Sequence, residues 1–172
     1  WDNPFRDVAP GAWYEEAVQH VYEAGLMQGT SASAFSPGRT TTRGQIVTIL
    51  HRLEGSPRAG RPPFTDVAAG SYCAEAVAWA EQNAIVRGFG DGTFRPDRPI
   101  TRQQLAAILL RYMEHRGEGT AGRADLSRFS DSAAVADYAR EAMAWAVSAG
   151  LLQGRANGTL DPAGSATRAQ TA

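Results

Sequence analysis

The sequence predicts an all-α, mainly helical fold built from three tandem helix–loop–helix repeats, and three observations predict it. The stretch Phe5-Arg-Asp-Val returns as Phe64-Thr-Asp-Val and as Phe129-Ser-Asp-Ser. A Thr-Arg-x-Gln tetrad follows in each copy, at Thr42 to Gln45, Thr101 to Gln104 and Thr167 to Gln170. Apolar residues recur at helical spacing before and after each loop, as in Ala17, Val18, Val21 and Tyr22, so each helix has one stripe to bury. The register holds throughout: Ala17-Val18 matches Ala76-Val77 and Ala142-Met143, and Pro37 matches Pro96 and Pro162. The tetrad arginines lie 59 and then 66 residues apart, and the extra residues fall in the second connector.

The first helix of each copy is expected to run from about Trp13, Tyr72 or Tyr138 to just before Leu26-Met27, Ile85-Val86 or Leu151-Leu152. Gly25 and Gly150 read as residues that end a helix in a left-handed turn, with the next leucine closing the apolar contact. The middle copy has Ala84 there, so Asn83 is the expected left-handed substitute and that helix is expected to stop a residue early. Trp79 and Trp145, one turn along the first helix, suit packing between units, while the first copy has His20 in that place. Asp7, Asp66 and Asp131 suit the fixing of a turn.

A turn-rich loop comes next, clearest in Gly88 to Pro96, where Gly90 and Asp91-Gly92 allow a tight reversal. The first copy has Ser31-Ala32-Ser33 there and is expected to bend differently. The tetrad then opens the second helix: threonine is the N-cap, and glutamine three residues on completes a capping box. Ile100 and Leu105 occupy the two positions of a hydrophobic staple. The expected divisions are repeat 1 at 1–55, a connector at 56–63, repeat 2 at 64–116, a connector at 117–128 and repeat 3 at 129–172, whose second helix is cut to about one turn. One helix pair cannot hide its own apolar faces, so the copies must pack on one another.

Arg43, Arg102 and Arg168 stand at the first position of these second helices. The helix dipole makes that end positive, so a cation there costs about 0.3–1 kcal/mol. The same misfit at three matching places asks for a negative partner. A helix N-terminus also offers free N–H groups, and a guanidinium forks onto a carboxylate, so an acidic ligand meets the requirement.

With 17 basic residues, all arginine, against 18 acidic ones, the net charge is −1 and no broad basic face is visible, which argues against nucleic acid as a partner. The single cysteine, Cys73, excludes an internal disulfide framework. No apolar run reaches membrane-spanning length, so no membrane insertion is expected. The chain opens on Trp1 and reads as a piece of a longer, processed protein with further domains. The loop Asp91 to Asp97 lacks the alternating oxygen ligands of a calcium site, and His20, His51 and His115 share no repeat position, so neither a metal, a cofactor nor a catalytic centre is expected.

On these residues the chain resembles the S-layer homology domains of bacterial surface proteins. The middle copy carries the likeness most closely, through Phe64-Thr-Asp-Val, Gly88-Phe-Gly-Asp-Gly-Thr-Phe-Arg-Pro and Ile100-Thr-Arg-Gln-Gln. The resemblance implies one pseudo-threefold body with grooves between neighbouring units. It also implies a noncatalytic module that anchors an exported protein at the cell surface by binding secondary cell-wall polysaccharide, often with an acidic pyruvate ketal. In that role Arg43, Arg102 and Arg168 grip the acid, and Gly29, Gly88 and Gly154 let the sugar approach the backbone. Trp13, Tyr72 and Tyr138 either stack on a sugar face or fill the junction between units. This reading expects Arg102→Ala to weaken binding while melting stays nearly unchanged. The chain departs from the family pattern in placing Gln45, Gln104 and Gln170 where the family has glutamate, which removes a carboxylate competing for each arginine. The other reading, a protein-interaction or self-assembly module of an exported surface protein, has the same arginines clamp a protein carboxylate.

Overall fold

The computed structural model describes residues 1–172 and is mainly helical, with 38% of residues in helices and the rest in turns and loops. The first repeat holds α1 (Glu15–Glu23) and α2 (Arg43–Leu53), the second α3 (Ala74–Gln82) and α4 (Arg102–His115), the third α5 (Arg140–Ser148) and α6 (Arg168–Thr171). Single 3-10 turns at Leu126–Arg128, Ser132–Ala134 and Asp137–Ala139 lead into α5. The first helices begin two residues after Trp13, Tyr72 and Tyr138. The residues between, Tyr14, Cys73 and Ala139, have φ of −104°, −104° and −105° and make no side-chain cap bond.

All three first helices are nine residues long and end alike. Leu26, Ile85 and Leu151 donate their N–H to Val21, Ala80 and Ala146, five residues back, while the residue before each is left-handed. That residue is Gly25 or Gly150 in the outer copies and Ala84, with φ 56°, in the middle. Asn83 is therefore not the left-handed substitute. It stays right-handed at φ −96°, and its side-chain amide donates to the Trp79 carbonyl at 2.8 Å, so the helix keeps its length.

The loops also close alike, through Thr30 N–H to Ala34 O, Phe89 N–H to Thr93 O and Arg155 N–H to Thr159 O. The first copy reaches this closure without a left-handed residue between Ser31 and Ser33. Each loop is pinned by the aspartate of the repeat's opening motif. Asp7 accepts from the N–H groups of Phe35 and Ser36, Asp66 from those of Phe94 and Arg95, and Asp131 from those of Leu160 and Asp161. The second residue of each pair is left-handed although none is glycine, with φ of 58°, 59° and 51°. The carboxylate's two bonds offset that strain. Burial alone would raise the Asp131 carboxyl, but the two N–H groups and Arg102 bring it below its ordinary range. A depressed pKa contributes stability that is present above the unfolded value, near 3.9, and is lost as pH falls through the folded value. Thermal melts below about pH 4 should therefore show a steeper loss in the wild type than in Asp131→Asn.

Packing crosses the repeat boundaries. α2 lies on α3 and α4 on α5, so the first helices of repeats 2 and 3 are each covered by the second helix of the preceding repeat. Trp79 is buried, with its ring 5.5 Å from His51 of α2 and 6.5 Å from Tyr112 of α4. Trp145 is buried in one cluster with Ala106 and Leu110 of α4, whereas His20 is exposed. A ring of three backbone bonds ties all three repeats: Thr41 donates to Ala166, Ala166 to Ile100, and Ile100 to Thr41, at 2.9–3.0 Å. These are the residues just before the three N-cap threonines. α6 is one turn long, yet it joins this ring's flank through a 3.0 Å bond between the Thr171 and Thr41 hydroxyls.

Candidate functional site: three grooves between repeats

Each second helix opens with the capping box that the tetrad predicts. Thr42, Thr101 and Thr167 accept from the backbone N–H of Gln45, Gln104 and Gln170, whose side chains accept in return from the threonine N–H. The next two helical N–H groups are also taken. Arg43 and Gly44 donate to Arg98 and Pro96, Arg102 and Gln103 to Gly164 and Pro162, and Arg168 and Ala169 to Arg39 and Pro37, all at 2.8–3.0 Å. The expectation of free amide donors at these helix ends is thereby corrected. Carbonyls from the following repeat's loop carry the negative potential that the helix dipole favours, and they carry it without a ligand.

The arginine side chains follow the same path. Arg43, Arg102 and Arg168 are 5%, 5% and 6% exposed. Arg102 Nε donates to Leu160 O at 2.8 Å and its Nη2 to Gln153 O at 2.7 Å. Arg168 binds Phe35 O at 2.8 Å and Gln28 O at 2.6 Å, and Arg43 binds Phe94 O at 2.9 Å with a longer contact of 3.5 Å to Arg87 O. Arg43 therefore reaches from repeat 1 into repeat 2, Arg102 from repeat 2 into repeat 3, and Arg168 from repeat 3 back into repeat 1. The guanidinium carbons of Arg43 and Arg168 also lie 4.6 Å and 4.5 Å from the ring centres of Phe94 and Phe35. Burial lowers all three pKa values; that of Arg43 falls to about 10, with Arg95 and Arg111 adding repulsion against the partial support of Tyr138 and Asp66.

The three loop glycines have an internal reason as well. A Cβ on Gly88 would stand 2.5 Å from a ring carbon of Phe64 and 2.7 Å from Thr93 O. The same ring position of Phe5 and Phe129 would meet a Cβ on Gly29 and Gly154 at 2.6 Å and 2.5 Å. The phenylalanine that opens each repeat and the glycine after its first helix are two halves of one contact.

Three clefts of about 320, 490 and 290 Å³ lie beside these clamps, on the scale of small-ligand sites. The first is lined by Arg43 of repeat 1, Gly88 and Gln104 of repeat 2 and Tyr138 of repeat 3. The second has Arg102 of repeat 2, Gly154 and Gln170 of repeat 3 and Trp13 of repeat 1. The third has Arg168 of repeat 3, Gly29 and Gln45 of repeat 1 and Tyr72 of repeat 2. The nine residues singled out in the sequence thus gather three to a groove, each trio drawn from three different repeats. Trp13, Tyr72 and Tyr138 are 74%, 61% and 55% exposed, so they stand at the groove rims, with the Tyr72 hydroxyl 3.4 Å from that of Thr42 in repeat 1. Sequence reasoning missed Arg52 and Arg111, which line the third and first grooves. Both follow a box arginine by nine residues, a signal the repeat alignment carries.

A family model described as the S-layer homology domain matches residues 4–47, 63–106 and 128–172. The chain is 31% identical over 170 residues to an endoglucanase of Bacillus sp. (strain KSM-635), which covers 98% of the chain and 18% of that protein. It is 32% identical over 169 residues to the surface-layer 125 kDa protein of Lysinibacillus sphaericus, covering 96% of the chain and 14% of that protein. An amylopullulanase of Thermoanaerobacterium thermosulfurigenes is 28% identical over 175 residues, covering the whole chain and 9% of the relative. The chain spans less than a fifth of the length of each. Each matched span runs from an opening phenylalanine motif through a pinned loop into a capping box, and on that threefold agreement the chain belongs to the S-layer homology domain family.

Proposed function

We propose that the chain is a noncatalytic anchoring module that holds a larger exported protein on a bacterial cell wall or cell surface. It does so by binding a secondary cell-wall polysaccharide, acidic or pyruvylated, in the grooves between its repeats. The observation that carries this reading is the recurrence in three clefts of one set of features: an arginine, a loop glycine, a box glutamine and a rim aromatic. No aspartate or glutamate is among the lining residues of any of the three grooves, so their positive charge favours an acid. Exposed Trp13, Tyr72 and Tyr138 offer flat faces to sugar rings. The cyclic order of the arginine contacts and the ring through Thr41, Ile100 and Ala166 support a single pseudo-threefold body in which the grooves are related. Relatives named as surface-layer protein, endoglucanase and amylopullulanase, each far longer than this chain, fit a portable module joined to different cargo. Several grooves on one polymer raise retention through effective concentration.

The test is sedimentation of the purified protein with bacterial wall polysaccharide before and after removal of its acidic substituents. Binding should fall by about tenfold or more when the acids are removed, the loss expected for a charge-assisted contact. Equal binding to both samples would remove the acid from the reading. Binding that persists on walls stripped of polysaccharide but retaining protein would replace the anchor with a protein-interaction module.

A further inference from the structure

The three box arginines are poorly placed to be the hands that hold an acid. A guanidinium has five N–H donors in a rigid fork. In Arg102 and Arg168, two of these are committed to backbone carbonyls at 2.6–2.8 Å, and the side chains are about as buried as core leucines. Their charge remains, and in a half-enclosed cleft it acts at low dielectric. Direct contact falls to other cations.

Two arginines occupy matching places for it. Arg111 on α4 lines the groove of Arg43, and Arg52 on α2 lines the groove of Arg168. Neither is in an ion pair, although six arginine–carboxylate pairs occur elsewhere in the chain. Arg111 is half-buried, and Arg52 is steadied at one nitrogen by a 2.9 Å bond to Leu26 O. Both are carried by helices, which hold a contact more firmly than a loop does. Each of these two grooves gathers three arginines without an acid, Arg43, Arg87 and Arg111 in one and Arg39, Arg52 and Arg168 in the other. Burial lowers the Arg111 pKa and Arg87 lowers it further, against partial support from Tyr138 and Glu114. The groove of Arg102 differs, because its second arginine, Arg155, is already paired with Asp161.

We propose that Arg111 and Arg52 make the direct contact to a ligand carboxylate, so that the grooves of Arg43 and Arg168 are selective for acid and the groove of Arg102 is not. This rests on the glycan-binding reading above and names the residues that discriminate within it. The box arginines stand behind as clamps that hold the groove walls and add to the positive potential.

The experiment is calorimetric titration of the protein with the methyl glycoside of a pyruvate-ketal N-acetylhexosamine, used as the free acid and as its neutral methyl ester. Wild type should prefer the acid by roughly tenfold to a hundredfold. Arg52→Gln/Arg111→Gln should bring the two probes within about twofold of each other, with melting lowered by only about 2–4 °C through loss of the Arg52 bond to Leu26 O, and Arg52→Lys/Arg111→Lys should restore part of the preference. Arg61→Gln, outside all three grooves, should leave the ratio as it was. A double glutamine variant that keeps the wild-type preference overturns this inference and leaves the glycan reading standing. Wild-type protein that binds neither probe overturns both.

Discussion

Arg102→Ala is expected to melt far below the wild type. The substitution strips the carbonyls of Leu160 and Gln153 of their donors; the buried Leu160 carbonyl, once orphaned, costs about 1–3 kcal/mol, while that of exposed Gln153 can turn to water. The empty guanidinium site adds a cavity between repeats 2 and 3. Part of this is returned, because a buried charge no longer has to be desolvated. The net loss should be about 3–5 kcal/mol, which lowers the melting temperature of a chain this size by about 6–20 °C. Arg102→Lys should fall between the two, since an ammonium keeps the charge but lacks the fork that reaches both carbonyls. This reverses the expectation drawn from the sequence, in which the alanine variant loses ligand and keeps its fold. A melting temperature within about 2 °C of the wild type would mean that the carbonyls find other donors and that the clamp is not what holds the loop.

The reason for that reversal marks the limit of reading a chain locally. The misfit of a cation at a helix N-terminus was visible three times over, and the inference that each needs a negative partner was sound. What the sequence could not say was where the partner lies. For Arg43, Arg102 and Arg168 it is a loop carbonyl 51, 58 and 133 residues away, always in another repeat. A backbone carbonyl has no residue type and leaves no mark in a sequence. Features closed within a few residues were legible instead: the capping boxes and the helix ends at Gly25 and Gly150. The one local expectation that failed, at Asn83, failed because propensity was weighed without the following contact. Ile85 and Val86 are both buried, and placing them requires the reversal one residue later, at Ala84. The nine residues that line the grooves were named through the family resemblance, with the repeat supplying their alignment. Arg52 and Arg111 were missed because on a helix face a lone arginine looks like solvent-facing charge, although the repeat alignment places both nine residues after a box arginine.

Gly88→Ala should also be strongly destabilising, and it separates two explanations of the same glycine. If Gly88 is glycine so that a sugar can approach the backbone, alanine weakens binding and leaves melting intact. The packing around it argues otherwise. The new methyl group would lie 2.5 Å from the Phe64 ring and 2.7 Å from Thr93 O, and the carbonyl is backbone that cannot swing aside. Overpacking of this kind costs about 1–3 kcal/mol, and two simultaneous clashes put this site at the upper end. Gly38→Ala is the control: a Cβ there meets nothing within 4 Å and the φ is not left-handed, so melting should hold or rise slightly. Combining Gly88→Ala with Phe64→Leu tests the contact itself, since a smaller side chain opens room for the methyl. The double variant should be more stable than the two single losses added together, a coupling of about 0.5–3 kcal/mol for residues in contact. Strict additivity would show that Phe64 is not what excludes the methyl. The pairing of an opening phenylalanine with a loop glycine in each repeat would then need a cause outside the fold, and a ligand lying against the loop would be the first to test.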